Sequence, residues 1–359
     1  MQRVVGLIVL LLLGSTHPAN GQTPTDRLVR EAGKQIPSLA AFIVERHDSV
    51  RCQEYFHGAT SQTPFNVKSM TKTFVSSIAG AARLRGLLPD LDTPFLTIMP
   101  EYGIPDRLAK NVWFHESPED SEALADLRED DSLRKLLSLR QLMQMQAGFR
   151  YHEFGPIIDE YCSASDPVRF MIDLPFETEP GDTFNYCTGA AHMFGVALSR
   201  CVKTDIRTFA DTALFIPAGI HVVRWATDPE GRSLGGSELW CTATDALRLG
   251  ELYLHHGVAG GRQLLPSEWI DESWQKHAEL AHWDVAPHVN GYGYYWWRRQ
   301  SHGHQVYFAS GYGGQLLCVI PDLDMVIVTI CTLGKNNRGR SELRRLHDVI
   351  DRIVATERK

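Results

Sequence analysis

Short apolar runs bounded by turn residues lie near both ends of the chain, and segments of helical period fill the middle. Leu39-Ala40-Ala41-Phe42-Ile43-Val44-Glu45-Arg46 is one such run. His47-Asp48-Ser49 is a turn candidate and residues 50–56 return, so a buried antiparallel hairpin is expected. Near the other end, residues 305–309, 315–320 and 325–331 read as strands. Pro321-Asp322-Leu323-Asp324 separates the last two, which predicts an antiparallel meander. Residues 292–298 are aromatic and read as extended, and residues 341–357 read as a closing amphipathic helix. Between these ends, helices are expected from Ser69 to Arg85 with Gly86 as C-cap, and from Ser138 to Met145 ahead of Gly148. Others are expected over residues 190–198, from Thr244 to His255, and from Pro266 to about Ala278, while residues 217–242 are turn-rich. Strands at both ends with helices between predict an α/β fold of the α+β type. In it, residues 23–95 and 290–359 form one antiparallel sheet domain flanked by helices, and residues 96–289 form a mostly helical insert.

The first 22 residues follow a different rule. Met1-Gln2-Arg3 is a short basic start, residues 4–14 are an apolar run of eleven, and residues 15–21 are small and polar. This is the layout of a secretory signal peptide, and the run is too short to span a bilayer comfortably. Cleavage near Gly21 or Gln22 gives an exported protein, periplasmic or secreted, with no stable membrane insertion afterwards. An uncleaved anchor is the alternative.

The whole chain has 359 residues, 43% apolar and 22% charged, enough for one large or two modest domains. A net charge of −7 gives no support to a nucleic-acid partner. The seven cysteines (Cys52, Cys162, Cys187, Cys201, Cys241, Cys318 and Cys331) include no Cys-x-x-Cys pair and no zinc-finger spacing. No metal and no cofactor are expected. The odd count leaves at least one cysteine free or paired between chains. Oligomeric state is open.

The chemistry concentrates in Phe65-Asn66-Val67-Lys68-Ser69-Met70-Thr71-Lys72. Residues three apart share a helix face, so Lys72 stands beside Ser69 one turn away. A serine hydroxyl becomes a useful nucleophile when a neighbouring base takes its proton. A lysine does this only when neutral, and burial favours the neutral form. Lowering its pKa from about 10.4 to near 7 costs roughly 4–5 kcal/mol. Phe74, Val75, Ile78, Ala79 and Ala82 after Lys72 supply the apolar surroundings. The same spacing occurs at Ser132/Lys135, after an acidic run, and at Ser273/Lys276, on an amphipathic surface-type helix. Only Ser69 lies between an extended segment and a strongly apolar helix. No Gly-x-Ser-x-Gly elbow is present. His302-Gly303-His304 falls in a hairpin turn without an identifiable third ligand. Tyr151, Phe154, Trp240, Trp296 and Trp297 are candidates either for a pocket wall or for packing.

Several blocks recur in a familiar order: Ser69-Met70-Thr71-Lys72, Arg85-Gly86-Leu87-Leu88, Leu91-Asp92-Thr93-Pro94, residues 139–148, Pro180-Gly181-Asp182-Thr183-Phe184-Asn185-Tyr186, Thr242-Ala243-Thr244-Asp245 and Gly311-Tyr312-Gly313-Gly314-Gln315. In these the chain resembles the serine hydrolases related to class C β-lactamases and DD-peptidases, closest in pattern to the 6-aminohexanoate-dimer hydrolase and esterase branch. The resemblance covers nearly the whole mature chain and implies the β-lactamase/transpeptidase-like fold.

It also implies Ser69 as nucleophile, with Lys72 and Tyr186 as acid/base. It implies an oxyanion hole from the backbone N–H groups of Ser69 and Tyr312, and substrate contacts at Thr188, Ser310, Gly311 and Gly313. The family's Tyr-x-Asn falls on Tyr186-Cys187-Thr188, so a threonine replaces the asparagine. Its Lys-Thr-Gly falls on Ala309-Ser310-Gly311, so the lysine is missing, which argues against an efficient β-lactamase. The implied partner is a small amide or ester substrate, hydrolysed through an acyl-enzyme. A β-lactam-interacting member and a catalytically inactive binding protein are the alternatives.

Overall fold

Two strands near the start of the chain and five near its end form one antiparallel sheet. The computed structural model describes residues 23–103, 131–280, 286–335, 337 and 339–357; the expected leader, residues 1–22, lies outside them. β1 (Leu39–Arg46) and β2 (Ser49–Tyr55) form the expected hairpin. β3 (Phe65–Asn66), β4 (Arg224–Trp225) and β5 (Leu239–Cys241) form a small second sheet, and β6 (Val258–Ala259) and β7 (Arg262–Gln263) a short hairpin. β8 (Val289–Tyr292), β9 (Trp297–Ser301), β10 (His304–Gly311), β11 (Gln315–Ile320) and β12 (Met325–Cys331) follow. The large sheet runs β2-β1-β12-β11-β10-β9-β8, and the pairing of Arg46 with Met325 through Leu39 with Cys331 joins the chain ends.

β11 and β12 are buried along their whole length because helices cover both faces. Ala243–Leu254 lies on one face so closely that a Cβ at Gly250 would come within 2.5 Å of Val326. On the other face Arg340–Thr356 sets His347 edge-on to Phe308, with ring centroids 5.1 Å apart, and packs against Pro24–Gln35. Burial on both faces explains why these strands read as continuous apolar runs.

The structure corrects three local expectations. Residues 292–298 are not one extended run: β8 ends at Tyr292 and β9 begins at Trp297. The turn between them has Tyr295 at φ +62° and buries Tyr294, Tyr295 and Trp296. Trp296 packs on Tyr253 with centroids 4.6 Å apart. Burying large rings outweighs the cost of the left-handed residue. The helix after Pro266 is Ser267–Trp274, ending short of Ala278 because Gln275 turns extended and His277 and Ala278 reach the Tyr292 carbonyl. Ser273 on that helix is buried, and its hydroxyl donates to the Trp269 carbonyl at 2.6 Å. It is core, not surface. Among the described residues no helix is long and apolar enough to cross a membrane. All seven cysteines are thiols.

Candidate active site

Ser69 is presented by a strained turn. β3 pairs with β5, and the Val67 N–H donates to the Leu239 carbonyl at 2.9 Å. The chain then passes through Lys68 at φ +51°, a left-handed conformation that costs a non-glycine residue roughly 1–3 kcal/mol. Neighbours hold it there. The Lys68 N–H donates to Asn66 Oδ1 at 2.9 Å, Lys68 Nζ pairs with Glu238 at 2.6 Å, and the Asn66 amide donates to the other Glu238 oxygen at 2.6 Å. Ser69 follows in the 3₁₀ turn Lys68–Met70, half-buried, and the α-helix proper is Thr71–Leu84.

The first turn of that helix carries Lys72 into the interior, where it is almost wholly buried. Its amine lies 3.1 Å from Ser69 Oγ, 3.0 Å from Thr188 Oγ1 and 2.8 Å from the Gly236 carbonyl oxygen. Burial lowers its pKa to about 8, while the negative charge of Glu153 opposes that shift. The change from 10.5 corresponds to roughly 3 kcal/mol. Gly236 has no room for a side chain, since a Cβ would sit 2.6 Å from the Thr188 carbonyl oxygen. The adjoining Gly235 N–H donates to His192 Nδ1, and His192 Nε2 meets buried Asp228 at 3.1 Å.

Tyr186 and Thr188 come from the start of the helix Thr188–Val202. The Tyr186 ring stacks on Trp297 at 5.5 Å and stands over Lys72 Nζ at 4.8 Å. Burial raises its pKa strongly and Glu153 adds to this, while a hydrogen bond with Ser69 pulls the other way. The phenol is therefore neutral across the working pH range. Thr188, which the resemblance sets at the family's asparagine, reaches Lys72 with its hydroxyl oxygen.

β10 supplies the opposite wall. A Cβ on Gly311 would meet the Val67 carbonyl oxygen at 2.2 Å, so only glycine lets the strand end lie against the Ser69 turn. Ser310, Gly311, Tyr312 and Gly313 line one side of the cleft with Ser69, Tyr186 and Trp297. Tyr312 is 58% exposed, and the Gly313 carbonyl is tied to Asn337 at 2.8 Å. Phe154 and Leu343 make this side apolar, and Arg340 lies over the Phe154 ring at 4.7 Å. The other side, about 390 Å³, sets the charged and hydroxyl groups of Lys68, Glu153, Thr188 and Glu238 among apolar residues such as Ile158, Pro167 and Leu234, beside Ser69 and Tyr312. A larger cavity of about 640 Å³ near Arg169 and Arg232 touches none of these groups, and Arg232 is paired there with Asp228, Asp166 and Glu230.

The structure thus brings Ser69, Lys72, Tyr186, Thr188, Ser310, Gly311, Tyr312 and Gly313 to one cleft. The other two Ser-x-x-Lys pairs lie elsewhere, with Ser273 in the core. Ala309 is buried, and the β10–β11 register sets it on the same sheet face as Gly311. Of the aromatic candidates, Trp297 and Phe154 line the cleft, whereas Tyr151 and Trp296 are core. His304 pairs with Asp322 of the turn between β11 and β12 and does not line the cleft.

Sequence reasoning passed over Glu153 and Gly236. Glu153 lies inside a loop noted only for its aromatic residues, yet it accepts the Thr188 hydroxyl on one oxygen and the Thr188 N–H on the other at 2.8 Å. Gly236 lies in the turn-rich residues 217–242, within Gly235-Gly236-Ser237, and no chemistry marks it there.

The chain matches the family model described as Beta-lactamase over residues 25–351. It is 25% identical over 335 residues to the 6-aminohexanoate-dimer hydrolase of Paenarthrobacter ureafaciens, covering 86% of this chain and 79% of that protein. Its fold is shared with EstCE1, described as a hydrolase with promiscuous acyltransferase activity, at a TM-score of 0.70 and 16% identity over 91% of this chain and 98% of that one. The octameric penicillin-binding protein homologue from Pyrococcus abyssi shares it at a TM-score of 0.64 and 14% identity over 91% of this chain and 76% of that one.

Proposed function

The chain belongs to the Beta-lactamase family of hydrolases, and from that premise we propose that it is an exported serine hydrolase cleaving small amides or esters through an acyl-enzyme on Ser69. The observation that carries this reading is the buried Lys72 amine, with its lowered pKa, 3.1 Å from Ser69 Oγ. Neutral Lys72 takes the hydroxyl proton as Oγ attacks the substrate carbonyl carbon. The oxyanion is held by the backbone N–H groups of Ser69 and Tyr312, and such donors contribute roughly 3–4 kcal/mol each. Tyr186, hydrogen-bonded to Ser69, gives its own hydroxyl proton to the departing amine or alcohol, and the proton held on Lys72 restores the phenol. Water then attacks the ester, with the same groups working in reverse. In this reading residues 23–95 and 290–359 are the sheet domain supplying Ser69 and Gly311, and residues 96–289 are the insert supplying Tyr186 and Thr188. Residues 1–22 are the export leader.

The apolar wall of Trp297, Phe154 and Leu343 suits an uncharged acyl chain. The missing lysine at Ala309 favours such substrates over penicillins. The test is the intact mass of the protein after treatment with a fluorophosphonate, a short p-nitrophenyl ester and penicillin, each beside Ser69→Ala. One adduct per chain that vanishes in the variant is expected with the first two reagents. Labelling that persists in Ser69→Ala would sink the nucleophile assignment, and rapid turnover of penicillin would sink the substrate preference. The mass of protein recovered outside the cytoplasm reports whether the leader has been removed.

A further inference from the structure

The hydrogen bonds around Lys72 leave one direction open. A neutral amine has two N–H bonds and one lone pair. Its three polar neighbours are Gly236 O, Thr188 Oγ1 and Ser69 Oγ. A carbonyl oxygen only accepts. Thr188 has a single hydroxyl proton, and it is donated to Glu153. Towards Lys72, therefore, the threonine oxygen also only accepts. Both amine protons are committed, and the lone pair is left facing the Ser69 hydroxyl. An ionised carboxylate accepts and never donates. The two oxygens of Glu153 grip both donors of Thr188, its O–H and its N–H, so the hydroxyl has no freedom to rotate.

We propose that Glu153 is a positioning residue: by holding the Thr188 hydroxyl, it directs the lone pair of Lys72 at Ser69. This rests on the reading of Lys72 as the base. Without Glu153 the Thr188 hydroxyl is free to turn and donate to the Lys72 lone pair, competing with Ser69. An asparagine at position 188 would offer an accepting carbonyl oxygen and has no hydroxyl proton to turn towards the lone pair. The threonine and the glutamate therefore act as a pair in this chain. Glu153 also bears on titration, because its negative charge raises the proton affinity of Lys72 against desolvation. The other titratable groups around the pair are Tyr186 and Cys187 beside Lys72, Tyr151, Tyr161, Cys162 and Tyr292 around Glu153, Arg340 on the apolar side of the cleft, and Asp228, paired with His192 and Arg232, on the other. Across the cavity, Lys68 and Glu238 neutralise each other.

The test is the rate of fluorophosphonate adduct formation from pH 6 to pH 10 for wild type, E153A, E153Q, T188N and E153A/T188N. Glu153→Ala is expected to slow labelling roughly 10- to 100-fold, in line with the effect of small misalignments at a reacting centre. Both E153A and E153Q are expected to move the midpoint of the acid limb to lower pH, because both remove the charge that raises the proton affinity of Lys72. In the T188N background, removing Glu153 is expected to change the rate by less than about threefold, since the hydroxyl that Glu153 holds is gone. An equal loss in both backgrounds, or an E153A rate and midpoint equal to wild type, overturns the proposal. If T188N does not fold, the comparison of E153Q with E153A decides: the amide oxygen of E153Q can still accept the Thr188 hydroxyl, so E153Q is expected to keep most of the rate that E153A loses, and an equal loss in both overturns the proposal. Ser69→Ala and Lys72→Ala run alongside: labelling that survives in those variants overturns the underlying mechanism, whereas their loss of labelling with a normal E153A overturns only the role of Glu153.

Discussion

If Lys72 is the base, the rate of Ser69 acylation follows the neutral fraction of one buried amine. With a pKa of about 8, about one-tenth of the molecules carry neutral Lys72 at pH 7; an ordinary lysine would be neutral in about three of ten thousand. Burial thus enlarges the reactive population roughly 300-fold. The sign follows from the direction of the shift. Neutral lysine is the active form, so activity is lost as pH falls through about 8. Rates of fluorophosphonate labelling, read by intact mass, should rise about tenfold per pH unit below the midpoint and level off by about pH 9. Lys72→Ala should lower the rate by orders of magnitude and remove the slope. A midpoint near 10.5, the ordinary value, would mean that the amine is solvated. A slope that survives in Lys72→Ala would assign the titration to another group and refute the reasoning. The same shift bears on stability. Between about 8 and 10.5 the unfolded chain binds more protons at this residue than the folded one. The unfavourable contribution of Lys72 is therefore fully present below about 8 and fades as pH rises towards 10.5.

Two further outcomes are expected. Tyr186→Phe keeps the stack on Trp297 but loses the hydroxyl, so turnover of a p-nitrophenyl ester should fall about 10²- to 10⁴-fold with the melting temperature unchanged; a near-normal rate would remove Tyr186 from the proton path. Gly311→Ala forces a methyl against the Val67 carbonyl oxygen. It should cost about 1–3 kcal/mol in denaturant unfolding and slow labelling of Ser69, and a variant that labels and unfolds like wild type would show that β10 is free to move away from the turn.

By itself the sequence determined the elements whose evidence is local. β11 and β12 appear at their observed bounds because an apolar run between turn residues is a statement about neighbouring positions. The hairpin of β1 and β2 follows for the same reason, as does the spacing of Ser69 and Lys72, since one helical turn is set by backbone geometry. The resemblance of ordered blocks extended this reading to Tyr186 and Tyr312. Only the tertiary structure decided what lies far apart in the chain. Gly236 is 164 residues from the amine its carbonyl receives, and Glu153 is 35 residues from the threonine it holds. Neither has a local pattern to announce it. Whether Ser273 faces solvent or core, and whether residues 292–298 run straight or fold back, depended on what packed against them. The pKa of Lys72 belongs to the same class. It is set by exclusion of water and by the charge of Glu153, both products of the assembled interior.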